Sequence, residues 1–233
     1  MGIVDYLRLN GMEFNNIIDT ITAKPYYRDE SVVIYHSDNR LILPLIPDQS
    51  IDLVLTDPPY GIGVNRMTLG NGKRLVYRGE YDWDKEIIDL SPLLNMNVPT
   101  VIWGGNYFPL PLSRGWLVWD KGTGDNDYAD CELAWSNRDG VIKKYFRSWV
   151  GANAKEKTEA DRYHPTQKPV ALMEWCINFF PEAIMILDPF MGGGSTLRAS
   201  LNRNRKCIGI EIEEKYCEIA AQRCSQSVMR LEV

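Results

Sequence analysis

The run Thr56-Asp57-Pro58-Pro59-Tyr60 restricts this chain more than any other stretch. The residues before it, Ile51-Asp52-Leu53-Val54-Leu55, read as a short buried strand. Consecutive prolines have no amide hydrogens with which to continue a strand ladder, and each biases the residue before it toward extended geometry. The strand therefore ends on a stiff backbone that gathers a carboxylate, a fixed carbonyl and an aromatic ring within four residues. Open α/β sheets bind their ligands at such carboxyl ends. Taken alone, the run is also a proline-stiffened strand exit with an Asp cap.

A second stretch, far along the chain, repeats the design. Ala183-Ile184-Met185-Ile186-Leu187 is a strand, and its exit is Asp188-Pro189-Phe190-Met191-Gly192-Gly193-Gly194-Ser195-Thr196, with a helix carrying Leu197 and Leu201 behind it. Three glycines between strand and helix let a ligand approach the backbone closely. The next strand, Cys207-Ile208-Gly209-Ile210, ends at Glu211, about twenty residues after the turn, where a carboxylate receives ribose hydroxyls. Val32-Val33-Ile34-Tyr35 is a further strand followed by Asp38, which is either a ligand acceptor or the cap of a helix from Asn39.

Between these stretches, Thr100–Trp103, Trp116–Trp119 and Cys131–Trp135 read as three more strands, the last a candidate antiparallel one, with tryptophans that build core. His164-Pro165-Thr166-Gln167-Lys168-Pro169 opens a helix with an apolar stripe at Leu172, Trp175, Cys176 and Phe179, and Pro169 suits its first position. The free amides there and the charge of Lys168 favour an anionic group. A last helix buries Tyr216, Ile219, Ala220 and Cys224. Near the N-terminus Phe14, Ile17, Ile18 and Ile21 mark an amphipathic helix that packs on the core or on a partner.

With 233 residues, 45% of them hydrophobic, one domain (1–233) is expected, with residues 1–30 as an N-terminal extension. No apolar run approaches a membrane span, and no basic-then-apolar leader is present, so neither an anchor nor a signal peptide is expected. Five cysteines without close-paired spacing and two histidines argue against a zinc site and for a reduced cytoplasmic setting. A net charge of −5 argues against an all-basic surface but leaves room for a basic stripe. Two stretches mix cations with aromatics and are candidate DNA-contacting loops. Residues 61–83 hold Arg66, Lys73, Arg74, Arg78, Tyr77 and Tyr81; residues 141–163 hold Lys143, Lys144, Arg147, Tyr145, Phe146 and Trp149.

The two acids and the glycine turn describe a nucleoside site. The turn lacks the Gly-x-Gly-x-x-Gly spacing of a dinucleotide cradle, and no Gly-Lys-Ser/Thr opens a helix. A nucleoside without phosphate, such as S-adenosylmethionine, fits better. Asp57-Pro58-Pro59-Tyr60, His164–Pro169 and Asp188–Thr196, in that order, resemble the β-class DNA amino-methyltransferases, the N6-adenine and N4-cytosine enzymes of bacteria and phages. The resemblance extends over Trp116–Trp135 and Gly209-Ile210-Glu211. Gly193-Gly194-Ser195 stands where many members have Ser-Gly-Thr.

That resemblance implies an α/β, Rossmann-like methyltransferase fold with a mostly parallel seven-stranded sheet, one strand antiparallel, and a circularly permuted motif order. It implies double-stranded DNA as partner, base flipping, and a homodimer for which the N-terminal helix is a candidate contact. Asp57 and Pro58 would hold the target amino group, with Pro59 stiffening the exit and Tyr60 stacking on the base. Asp188, Pro189, Phe190, Gly192, Gly194, Ser195 and Thr196 would hold the methionine portion of the cofactor. Glu211 would take the ribose, Asp38 the adenine amino group, and His164, Thr166, Gln167 and Lys168 would line the same pocket. The Asp at the head of the motif favours adenine over cytosine, because N4-cytosine members more often begin with Ser. The alternatives are an N4-cytosine enzyme, an RNA amino-methyltransferase and an inactive nucleic-acid binder. No Pro-Cys dipeptide supplies the thiolate that cytosine-C5 chemistry needs.

Overall fold

The computed structural model describes residues 14–61, 87–122, 129–148 and 167–226. These divide into two compact units, one from residues 1–56 with 160–233 and the other from 57–159.

The first unit holds five strands: β1 (Tyr27–Arg28), β2 (Val32–His36), β3 (Leu53–Thr56), β8 (Met185–Asp188) and β9 (Lys206–Glu211). Their order is β1-β2-β9-β8-β3, with β2, β9, β8 and β3 mutually parallel and β1 antiparallel on the edge. Every residue of β3 and of β8 is buried. A parallel strand covered on both faces must be apolar throughout, which is why these strands read as unbroken apolar runs rather than alternating ones. Helices α1 (Phe14–Thr20), α2 (Asn39–Ile42), α4 (Val170–Ile177), α5 (Ser195–Asn202) and α6 (Glu214–Ser225) belong to this unit. Helix α1 buries Phe14 and Ile18 within the unit, and Arg28 holds Asp19 at 2.6 Å, so its apolar stripe packs on its own core. Helix α4 starts at Val170, one residue later than expected. Pro169 keeps an extended ψ of 140° and is the cap, its carbonyl accepting from Leu172 N at 3.1 Å.

The second unit holds β4 (Thr100–Trp103), β5 (Leu117–Asp120), β6 (Cys131–Ser136) and β7 (Lys143–Phe146), in the order β4-β6-β5-β7, and the short α3 (Ser91–Leu94). Strand β6 runs antiparallel to β4 and β5, while β7 is parallel to β5. Trp103, Trp119 and Trp135 are buried core side chains. The Trp119 indole donates to Arg147 O at 3.0 Å and that of Trp135 to Pro111 O at 2.7 Å, so these two rings are buried without losing hydrogen bonds.

All seven expected strands form, and β6 is the antiparallel one among them. Two short edge strands, β1 and β7, add to the expected seven. Residues 143–146, expected in a loop, pair with β5 along the backbone while their side chains stay mostly exposed, so no apolar alternation betrays the strand. Apart from Gly61, the stretch 61–83 lies outside the described residues, as do 149–163 and the pair His164 and Thr166. Among the described residues, no helix is long and apolar enough to cross a membrane and no cluster of side chains has metal-ligand geometry.

Candidate active site

In the first unit the carboxyl ends of β2, β9 and β8 lie side by side because their registers align: His36 opposite Glu211, and Asp188 opposite Gly209. Three of the four expected acids, Asp38, Asp188 and Glu211, therefore gather at one end of one sheet. Asp188 is 2% exposed and accepts from Thr56 Oγ1 at 2.7 Å and from Phe190 N at 3.1 Å. These donors fix its direction. Pro189 is buried beside it, and its carbonyl accepts from the Asn39 side chain at 3.2 Å, tying the start of α2 to the turn after β8.

The glycine turn needs its glycines for separate reasons. Gly192 has φ +48° and opens onto space, since a Cβ there would meet nothing within 4 Å. Gly194 caps α5 with φ +78°, and a Cβ there would come within 2.8 Å of Ala220 Cβ on α6. Arg223 donates from the far end of α6 to Gly193 O, and the site of a Gly193 Cβ is 3.6 Å from Gln167 Oε1. Helix α6 thus braces the turn along one face, Ala220 beneath one glycine and Arg223 on the next. Behind the turn, Ser195 and Thr196 are buried, and neither hydroxyl has a hydrogen-bond partner among the described residues. Buried hydroxyls without partners are costly, so this turn is built for a polar ligand.

Glu211 Oε2 accepts from Gly192 N at 3.0 Å, and Oε1 accepts from Glu213 N at 2.8 Å, at the entry to α6. Burial nevertheless pushes its carboxyl up to about 7, against the pull of these backbone amides. Ile212 follows it and is 43% exposed, an apolar side chain beside a carboxylate at a sheet end. Lys168 is only 4% exposed, which puts an ammonium charge inside this unit. Asp38 takes the capping role. Its carboxylate accepts from Arg40 N at 2.9 Å and pairs with the Arg40 guanidinium at 2.5 Å, which holds it below the usual carboxylate range. Acid, apolar side chain, glycine turn and orphaned hydroxyls make a donor and acceptor set for a nucleoside carrying a charged tail.

In the second unit Asp57 Oδ1 accepts from the Tyr60 hydroxyl at 2.7 Å. Pro58 is buried, while Asp57, Pro59 and Tyr60 are half-buried. The Tyr60 ring stacks on Tyr107, with centroids 4.9 Å apart and planes 17° apart. The proline pair has brought carboxylate and phenol together within one short exit.

Sequence reading missed Thr56, Asn39, Ile212, Arg223 and Tyr107. Ile212 was within reach, since an exposed apolar residue after a strand-end acid is a recognisable pattern. The others act through partners distant in sequence.

The profile of the DNA methylase family matches residues 114–222. The type II methyltransferase M.HpaI of Haemophilus parainfluenzae is 30% identical over 239 residues, covering 80% of this chain and 74% of that one. The type II methyltransferase M2.LlaDCHI of Lactococcus lactis subsp. cremoris is 25% identical over 268 residues, covering 94% and 98%. Among solved structures, the complex of M1.HpyAVI with SAM has a TM-score of 0.52 and 26% identity, covering 83% of this chain and 99% of that one. The cytosine-N4-specific PvuII DNA methyltransferase, at 17% identity, shares the fold with a TM-score of 0.57, covering 87% and 89%. Matching in sequence and in fold, this chain belongs to the DNA methylase family, the N6-adenine and N4-cytosine amino-methyltransferases.

Proposed function

We propose that the chain transfers a methyl group from S-adenosylmethionine to the N6 amino group of adenine in double-stranded DNA, acting in the cytoplasm. The observation that carries this reading is the Asp57 carboxylate held at 2.7 Å by the Tyr60 hydroxyl on a proline-stiffened strand exit. The target nitrogen is a poor nucleophile because its lone pair is delocalised into the ring. Asp57 and the Pro58 carbonyl each accept one amino hydrogen, which favours a pyramidal nitrogen and directs its lone pair outward. Fixed acceptors of this kind need little reorganisation during reaction. The base is unreachable inside a duplex, so it flips out and stacks on Tyr60.

When bound, S-adenosylmethionine supplies an electrophilic methyl on a sulfonium. Its adenosine suits Glu211 and Ile212, the first accepting ribose hydroxyls and the second packing on the adenine. The Ser195 and Thr196 hydroxyls, the open space at Gly192 and the buried Lys168 suit the methionine portion, as do Asp188, Pro189, Phe190, Gly194 and Gln167 around them. His164 and Thr166 join this set through their motif. Asp38 serves the adenine amino group once Arg40, 83% exposed at its side chain, swings away. Strand β7 offers Lys143, Lys144 and the 66%-exposed Phe146 to the DNA backbone.

The test is transfer of labelled methyl to unmethylated bacterial DNA, followed by nucleoside analysis. N6-methyladenine supports the reading. N4-methylcytosine overturns the base assignment, and cofactor binding without label in DNA or RNA overturns the activity. Sedimentation of the same preparation reads out whether two copies associate.

A further inference from the structure

Tyr60 is held at four points within its own unit. Its hydroxyl is bonded to Asp57, and its ring stacks on Tyr107 and meets Phe108 edge-on at 6.3 Å. The fourth point is Gly104, whose φ is +68°. A Cβ on Gly104 would lie 2.1 Å from Tyr60 Cε1, 2.5 Å from Cζ and 2.6 Å from Cδ1. Distances this short to both neighbours of Cε1 mean that the approach is from above the ring, because along its rim both would be longer. Tyr60 therefore lies flat against the Gly104 backbone, a place that no side chain could share.

The turn carrying these contacts is itself fixed. Gly104 N donates to Leu133 O at 2.8 Å, which ties it to β6, and Tyr107 N closes it by donating to Gly104 O at 2.9 Å. Phe108 is 7% exposed and anchors the far end. Tyr107 is different. It remains 41% exposed although its ring is stacked, so core burial is not what orders it. Its partner is Tyr60.

Resting on the function proposed above, we propose that Tyr107 is a positioning residue. It sets the plane of Tyr60, and through the Tyr60 hydroxyl it sets the direction of the Asp57 carboxylate. The Asp57 carboxylate takes its direction from the Tyr60 hydroxyl, so an error in the ring plane shifts this acceptor relative to the target amino nitrogen. Misplacement by about an ångström costs roughly a hundredfold in rate. The effect belongs in kcat rather than in DNA affinity.

The experiment compares the full chain with Tyr107→Phe, which keeps the ring, and Tyr107→Leu, which keeps bulk without a ring. Steady-state methyl transfer to unmethylated bacterial DNA is measured with cofactor binding by calorimetry. Tyr107→Phe should stay within about twofold of the wild type, and Tyr107→Leu should lose roughly 10- to 100-fold in kcat. KM for DNA and cofactor affinity should hold within about threefold. A fully active Tyr107→Leu overturns the assignment, as does a loss confined to KM or an equal loss in Tyr107→Phe. If Tyr107→Leu fails to bind cofactor because it is unfolded, Tyr107→Met takes its place under the same criteria. A wild type that transfers no methyl sinks the parent reading and this one with it, whereas an active wild type matched by Tyr107→Leu sinks only the role of Tyr107.

Discussion

Thr56 donates its hydroxyl hydrogen to the buried Asp188 carboxylate at 2.7 Å, and the residue that follows Thr56 in the chain is Asp57. The last residue of β3 thus belongs to the acid of the glycine turn, while the next one opens the Asp-Pro-Pro-Tyr motif. Replacing Thr56 with Val keeps the shape and removes the donor. Leaving a buried carboxylate short of one hydrogen bond costs about 1–3 kcal/mol. Thr56→Val should lower the unfolding free energy by that amount and weaken cofactor binding, and Thr56→Ser should restore both. Denaturant unfolding and calorimetry check this; an unchanged Thr56→Val would make the contact incidental.

With Glu211 as the proposed ribose acceptor, cofactor binding should be sensitive to pH. Its carboxyl sits at about 7 in the folded chain against 4.5 ordinarily, so the folded state holds the proton more tightly than the unfolded one. That contribution to stability is complete below pH 4.5 and is lost as pH rises through 7. Ribose hydroxyls are donors and prefer the ionised carboxylate. Affinity for S-adenosylmethionine should therefore rise with pH, up to about tenfold between pH 6 and 8, with protons released on binding. Glu211→Gln should bind more weakly and flatten the profile. Calorimetry in buffers of different ionisation enthalpy measures both quantities.

Gly194→Ala combines two penalties, a left-handed backbone at φ +78° and a Cβ pressed to 2.8 Å from Ala220. Together they should destabilise the chain by roughly 2–4 kcal/mol and abolish cofactor binding. Ala220→Gly alone costs about 1 kcal/mol of helix propensity. Combined with Gly194→Ala it removes the clash but not the backbone strain, so the double variant should be more stable than the sum of the single losses. Strict additivity of the two would mean that the two residues do not meet.

Asp57→Ala removes the acceptor proposed for the target amino group and leaves every residue of the glycine turn in place. Methyl transfer to DNA should be lost, with cofactor affinity within about threefold of the wild type. A collapse in cofactor binding would assign Asp57 a structural role instead.

Much of this architecture was legible because parallel strands buried on both faces must be apolar throughout. Their polar terminators, Asp57, Asp188 and Glu211, stand out against such runs, and Gly192-Gly193-Gly194 marks its turn by composition alone. Asp38 showed the limit of that reading. Its two roles have the same local sequence, and it is the bond from Arg40 N at 2.9 Å, backed by the Arg40 guanidinium at 2.5 Å, that distinguishes the cap from a waiting acceptor. Strand β7 was hidden because it is held by backbone pairing, with no buried face to impose a pattern. Tyr107 and Arg223 were hidden for another reason. Each acts on a residue 47 or 30 positions away (Tyr60 and Gly193), and no local rule encodes such a meeting.

The strand order β1-β2-β9-β8-β3 has a consequence for biosynthesis. Strands β2 and β3 leave the ribosome by residue 56, yet β2 pairs with β9 and β3 with β8, which emerge more than 120 residues later, after residue 184. At 5–20 residues per second, these early strands wait roughly ten to thirty seconds with open hydrogen-bonding edges. During that interval the nascent segment is an apolar, unpaired template for aggregation. Soluble yield should therefore depend on translation speed and on chaperones that shield growing chains, more steeply than the stability of the finished protein would suggest.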